Sequence, residues 1–135
     1  MATQDLWGDL SLEENIRTPV TILREQAALL GQKTNNLLEG QVNIAQTGTL
    51  SERFSALFFI VAPLLNNYRY HLLSVQYPPT AMYPLDLQDH SNTGSLKKIV
   101  CVDEASFIQA LGEVLIQPQV KKILSSLISQ SKAEN

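Results

Sequence analysis

The chain is poor in the residues that build most catalytic and metal centres. Its 135 residues include one cysteine, Cys101, and two histidines, His71 and His90. A lone thiol excludes an internal disulfide and fits a reducing compartment. With no His-x-x-x-His pair and no second cysteine, the spacings that hold structural zinc are missing, and no metal is expected. None of the six glycines stands in a G-x-G or G-K-[ST] context, so a phosphate-cradling loop is missing too and no cofactor is expected. Charged side chains make up 17% of the chain, below the roughly one quarter of ordinary domains. A net charge of −3 offers no basic footprint for nucleic acid. The longest apolar run, Ala56 to Leu65, is about half of what a bilayer-spanning helix needs and contains Pro63. The first dozen residues carry Asp5 and Asp9 and lack the basic start and continuous apolar stretch of a secretory leader. The expectation is a cytoplasmic soluble protein with neither nucleic acid nor a membrane as partner.

The apolar content, 44%, is that of a folded protein, and a chain of this length builds one ordinary core. Residues 1–135 therefore read as a single α+β domain, with 1–17 as an arm packed on it and 131–135 as a frayed tail. In the arm, Trp7 is expected to cover an edge of the core. Thr18-Pro19 is a helix start, Thr as cap and Pro at the first helical position, where its missing N–H costs nothing. Val20, Leu23, Ala27, Leu30, Thr34 and Leu37 continue the helical stripe. From Leu38 the period becomes two, with Leu38, Val42 and Ile44 opposite Glu39, Gln41 and Asn43, closed at Gly48.

Arg53 to Ala62 is apolar at both parities and reads as a strand in the middle of the sheet, covered on both faces. Pro63 ends it, and Asn66-Asn67 tolerates the left-handed conformations of a reversal. The return strand runs from Tyr68 to Tyr77 and stops at Pro78-Pro79. Tyr83, Leu85 and Leu87 alternate with Pro84, Asp86 and Gln88 as a short strand expected at an edge. The polar loop Asp89 to Gly94 leads to a last strand, Leu96 to Val102, in which Cys101 reads as a small buried hydrophobe. Helical spacing resumes after the cap Asp103, with Phe107, Ile108, Leu111, Val114 and Leu115 buried, and again after Pro118, with Val120, Ile123, Leu124, Leu127 and Ile128. An antiparallel sheet of four to five strands, one N-terminal helix and two C-terminal helices result.

The densest chemistry is Tyr68-Arg69-Tyr70-His71, with Tyr77 and Tyr83 elsewhere. Strict alternation puts Tyr68 and Tyr70 on one sheet face with Leu72, and Arg69 and His71 on the other with Leu73 and Val75. A guanidinium beside an imidazole, near tyrosines, can hold a carboxylate or phosphate. A nucleophile with its base could also assemble from His90, Asp86 or Asp89 and a serine, although no G-x-S-x-G elbow is present. Two functional classes follow. One is a non-catalytic interaction or assembly module, a homodimer or a partner-binding domain, contacting through a sheet edge, Trp7, or the Tyr83 and Leu85 strand. The other is a binder of a small anionic ligand, or a minor enzyme, with a cleft lined by Arg69, His71, Tyr68, Tyr70 and Tyr83.

Overall fold

Thr18 and Pro19 start the first helix, α1 (Pro19–Lys33), where the Thr18 hydroxyl accepts the N–H of Thr21 at 3.0 Å. Such a cap contributes about 1 kcal/mol. The structure, a computed structural model, describes residues 3–10, 17–47, 53–91 and 97–134, and the side chains of 46–47 are outside the description. The helix ends earlier than its apolar stripe suggests. Asn35 and Asn36 both take left-handed backbone angles, φ 51° and 63°, which no helix can continue through. The same device reverses the chain later at Asn66 and Asn67, φ 59° and 57°.

One antiparallel sheet follows, in the order β1 (Glu39–Thr47), β2 (Arg53–Ala62), β3 (Tyr68–Tyr77), β4 (Leu85–Asp89) and β5 (Lys97–Cys101). Pro63 ends β2 as expected and opens a single 3-10 turn, Pro63–Leu65, before the reversal. The helices α2 (Glu104–Leu115) and α3 (Pro118–Ala133) close the chain. Asp103 caps α2, accepting the Ser106 N–H at 2.8 Å while the Ser106 hydroxyl accepts the Asp103 N–H at 3.1 Å. Pro118 occupies the first turn of α3. Every connection is local, so each strand pairs with its sequence neighbour. Among the described residues, no helix is long and apolar enough to cross a membrane.

All three helices lie on one face of the sheet and share one core with Ala56, Phe58, Ile60, Leu72, Leu73, Val75, Leu85 and Leu87. The close approach of α1 depends on Gly40 of β1: a Cβ there would stand 2.5 Å from Ala27 of α1, so the two backbones touch where any larger residue would hold them apart. Cys101 is fully buried in this core.

Several expectations give way. β4 is flanked by β3 and β5, so the Tyr83 to Leu87 stretch is not an edge, and Leu85 is fully buried. Among the described residues, helices cover β2 on one face only: Leu57 and Phe59 point away from them and are half-buried. Ser131 belongs to α3 and is fully buried, so the helix continues where a frayed tail is expected. Ile108 is 43% exposed and Ala110 takes its place in the buried stripe of α2. The described part of the arm does not pack as expected, since Leu6, Trp7 and Leu10 are 84%, 80% and 66% exposed. Gly48, Asn92 to Gly94, Leu96, Leu12 and Asn135 lie outside the described residues.

Candidate functional site

The face of the sheet turned away from the three described helices is where Arg69 and His71 lie, but with different companions from those strict alternation assigns. The pairing of β2 with β3 shifts between Phe58 and Phe59, so Phe58 meets Leu73 while Phe59 meets His71, and Leu72 is the extra residue. This bulge sends both Leu72 and Leu73 toward the helices. Past it the parity is inverted: Val75 packs in the core, and Ser74, not Leu73 or Val75, joins Arg69 and His71 on the open face.

Four side chains stack in a row there. The Arg69 guanidinium lies 4.2 Å from the Phe59 ring centre, Phe59 stacks on His71 at 4.9 Å, and His71 stacks on His90 at 4.1 Å with the ring planes 25° apart. Burial pushes the His71 imidazole below its ordinary value and the adjacent His90 pushes it further, against a backbone hydrogen bond with Leu73. Burial also lowers His90, opposed by the nearby Asp89 carboxylate. Both rings are therefore held toward the neutral form. Nε2 of His71 is buried without a hydrogen-bond partner.

His90 does approach a serine, its Nε2 standing 3.1 Å from the Ser74 hydroxyl. The rest of a triad is missing from its place. Asp86 accepts from Arg53 at 2.9 Å and pairs with Lys98 at 3.5 Å. Asp89 is on the helix-covered face, fully buried, where its carboxylate accepts the Ser91 N–H at 2.9 Å, the Ser91 hydroxyl at 2.6 Å and the Gln117 amide at 2.8 Å. Burial pushes the Asp89 carboxyl up, and these hydrogen bonds, with Lys97 nearby, outweigh it and hold the group below its usual value. Gln117 precedes the first turn of α3, so this carboxylate ties the end of β4 to the α2–α3 junction. Ser74 is only 3% exposed, which leaves its hydroxyl closed to a substrate.

The tyrosines do not join Arg69 and His71. Tyr68 and Tyr70 are on the helix side, lining a recess of about 530 Å³ with Leu65 and residues of α3, among them Lys122 and Ile123. Tyr83 is half-buried near the start of α2; burial, followed by Glu104, Cys101 and Asp103, pushes its phenol up to about 12 against the opposing Arg17, and its hydroxyl has no hydrogen-bond partner. Arg69 lines a separate depression with Glu39, Gln41 and Asn67. The sheet itself thus divides the expected five-residue cleft. Among the described residues, no three His, Cys, Asp or Glu side chains gather as a metal site.

Two surfaces stand out instead. One is the arm: Asp5 accepts the Trp7 N–H at 2.9 Å, and Gly8 follows with φ 70°, a short local turn that presents Leu6 and Trp7 to solvent. The other is an apolar groove of about 460 Å³ between α1 and the α2–α3 pair, floored by Phe58, Ile60 and Leu72. Its rim includes Leu29 and Ile116, 41% and 64% exposed. Gly112 inside α2 and Ile116 just beyond its buried stripe are the sequence features that line the groove there. Compared with protein-family models, with curated proteins and with solved structures, the chain finds no match in any of the three.

Proposed function

We propose that this domain is a non-catalytic interaction module whose contact element is the arm Asp5–Leu10. The observation that carries this reading is the exposure of Leu6, Trp7 and Leu10, 84%, 80% and 66%, within one short segment. Single exposed apolar residues are ordinary on a protein surface, but a cluster that includes tryptophan matches the residue type that dominates binding energy at interfaces. The local turn held by Asp5 and Gly8 lowers the entropy lost when such an anchor docks. A protein partner or a second copy fits this acidic chain better than nucleic acid does, and the single buried Cys101 fits a cytoplasmic setting. The anionic-ligand reading has less support, because Tyr68 and Tyr70 are across the sheet from Arg69 and His71.

The test is native mass spectrometry on the full chain purified gently from its own host, beside the triple variant Leu6→Ser, Trp7→Ser, Leu10→Ser. The expected result is a dimer or hetero-complex for the natural chain and a free monomer of unchanged Tm for the variant. Identical mass distributions for the two would overturn the reading.

A further inference from the structure

We infer that the arm of one copy docks in the groove between α1 and the α2–α3 pair of a second copy; this rests on the arm being the contact element. Each surface has what the other lacks. The groove has an apolar floor of Phe58, Ile60 and Leu72, already excluded from solvent at 2%, 1% and 1% exposure, and apolar rims at Leu29 and Ile116. Its volume of about 460 Å³ falls in the roughly 300–1,000 Å³ range of pockets that enclose drug-sized groups. An indole and two leucine side chains belong to that size class.

Charge agrees with shape. Lys33 and Lys121 stand on the groove's edge, and neither makes an ion pair among the described residues. The first sixteen residues carry four acidic side chains, Asp5, Asp9, Glu13 and Glu14, and no basic one. An acidic apolar segment seated between two lysines gains opposite-charge contacts at the rim, which favour encounter and orientation. The donor is a second copy because the described part of the arm does not pack in its own groove: Trp7 is 80% exposed and none of Asp5 to Leu10 lines the groove. Arm and groove are carried by every copy, and two copies that exchange arms form a closed two-fold dimer.

Gly112 supplies a probe. It lines the groove from α2, and a Cβ built on it meets nothing within 4 Å. Gly112→Leu therefore projects a side chain into the groove from a helix that tolerates it. Trp7 is the chain's only tryptophan, so its fluorescence reports the arm alone. The experiment follows Trp7 emission and acrylamide quenching against protein concentration, with sedimentation velocity on the same samples. The expected result is a blue shift and loss of quenching in step with dimer formation. Gly112→Leu should keep its Tm and weaken association at least ~30-fold, the size of an interface hot spot. Lys33→Glu with Lys121→Glu should weaken it as well, and adding Asp9→Lys, which leaves the Asp5 turn in place, should recover it in part. A blue-shifted emission that dilution does not change would overturn the inference in favour of an arm folded onto its own groove. A small aliphatic molecule retained in the groove of a monomer would overturn it too. Association abolished by the triple arm variant but untouched by Gly112→Leu would sink the groove while leaving the arm as the contact element; a chain that stays monomeric at every concentration would sink the exchange between copies, whereas only native spectra identical for the natural chain and the arm variant would sink the arm as well.

Discussion

Phe58 and Phe59 are neighbours in β2, yet they belong to different chemical worlds. Phe58 faces the helices at 2% exposure among Ile60, Leu72 and Val75, whereas Phe59 faces away, stacked between Arg69 and His71. The first face is held by excluded water and close packing, which are insensitive to pH. The second is held by ring stacking and a cation over a ring, with two imidazoles in the row. The same ladder of backbone hydrogen bonds thus supports one side held mainly by packing and another that carries two imidazoles.

The sharpest way to break that contrast is to truncate each phenylalanine in turn. Phe58→Ala should cost about 3–5 kcal/mol of stability through lost transfer energy and the cavity left behind. Phe59→Ala should cost less than half as much, because its surroundings are open and can relax. Urea unfolding of both variants decides it, and equal losses would mean that the open face is as tightly packed as the covered one.

A smaller effect concerns Asp89, a buried carboxylate on the helix side. Asp89→Asn should cost about 1–3 kcal/mol at neutral pH, since the Ser91 and Gln117 donors lose a charged acceptor. Its lowered folded value means that this contribution is fully present above the unfolded carboxylate value of about 3.9 and disappears as the pH falls through the folded one. The gap between Asp89→Asn and the natural chain should therefore close in acid, which thermal melts across that range would show.

The smallest effect lies on the open face. His71 and His90 are both held below their ordinary values, so the unfolded chain binds protons first as the pH drops. Their contribution is complete above about pH 6.5 and is lost as the pH falls from there toward the depressed folded values. His71→Phe keeps a ring in the row and removes the unpartnered Nε2, so it should be neutral or stabilising at alkaline pH and should flatten the fall in Tm below about pH 6.5. A Tm profile unchanged by the substitution would show that the pair does not titrate with folding.

The features legible in the residue order are those whose cause acts within one turn of chain. Thr18-Pro19, Asp103 and Pro118 start helices because a side-chain acceptor or a fixed φ answers exposed amides three residues away, whatever the rest of the molecule does. Pro63 and Asn66-Asn67 end β2 and reverse the chain for equally local reasons. Asn35-Asn36 carry the same signal within an apolar stripe that runs on to Leu37. The single α+β layer arrangement follows from those starts and stops, since consecutive strands joined by short turns pair with one another.

What depends on distant segments needed the tertiary structure. Nothing near Leu72 marks it as a bulge; the extra residue is defined only against Phe58 and Phe59 of the facing strand, and it alone inverts the parity that separates His71 from Val75. Which face of β2 the helices cover, the burial of Leu85 between β3 and β5, and the meeting of His90 with His71 all result from pairings across many residues. Local chemistry chose the elements because caps and turns are short-range forces. The site was decided by register and layer order, which exist only once the elements meet.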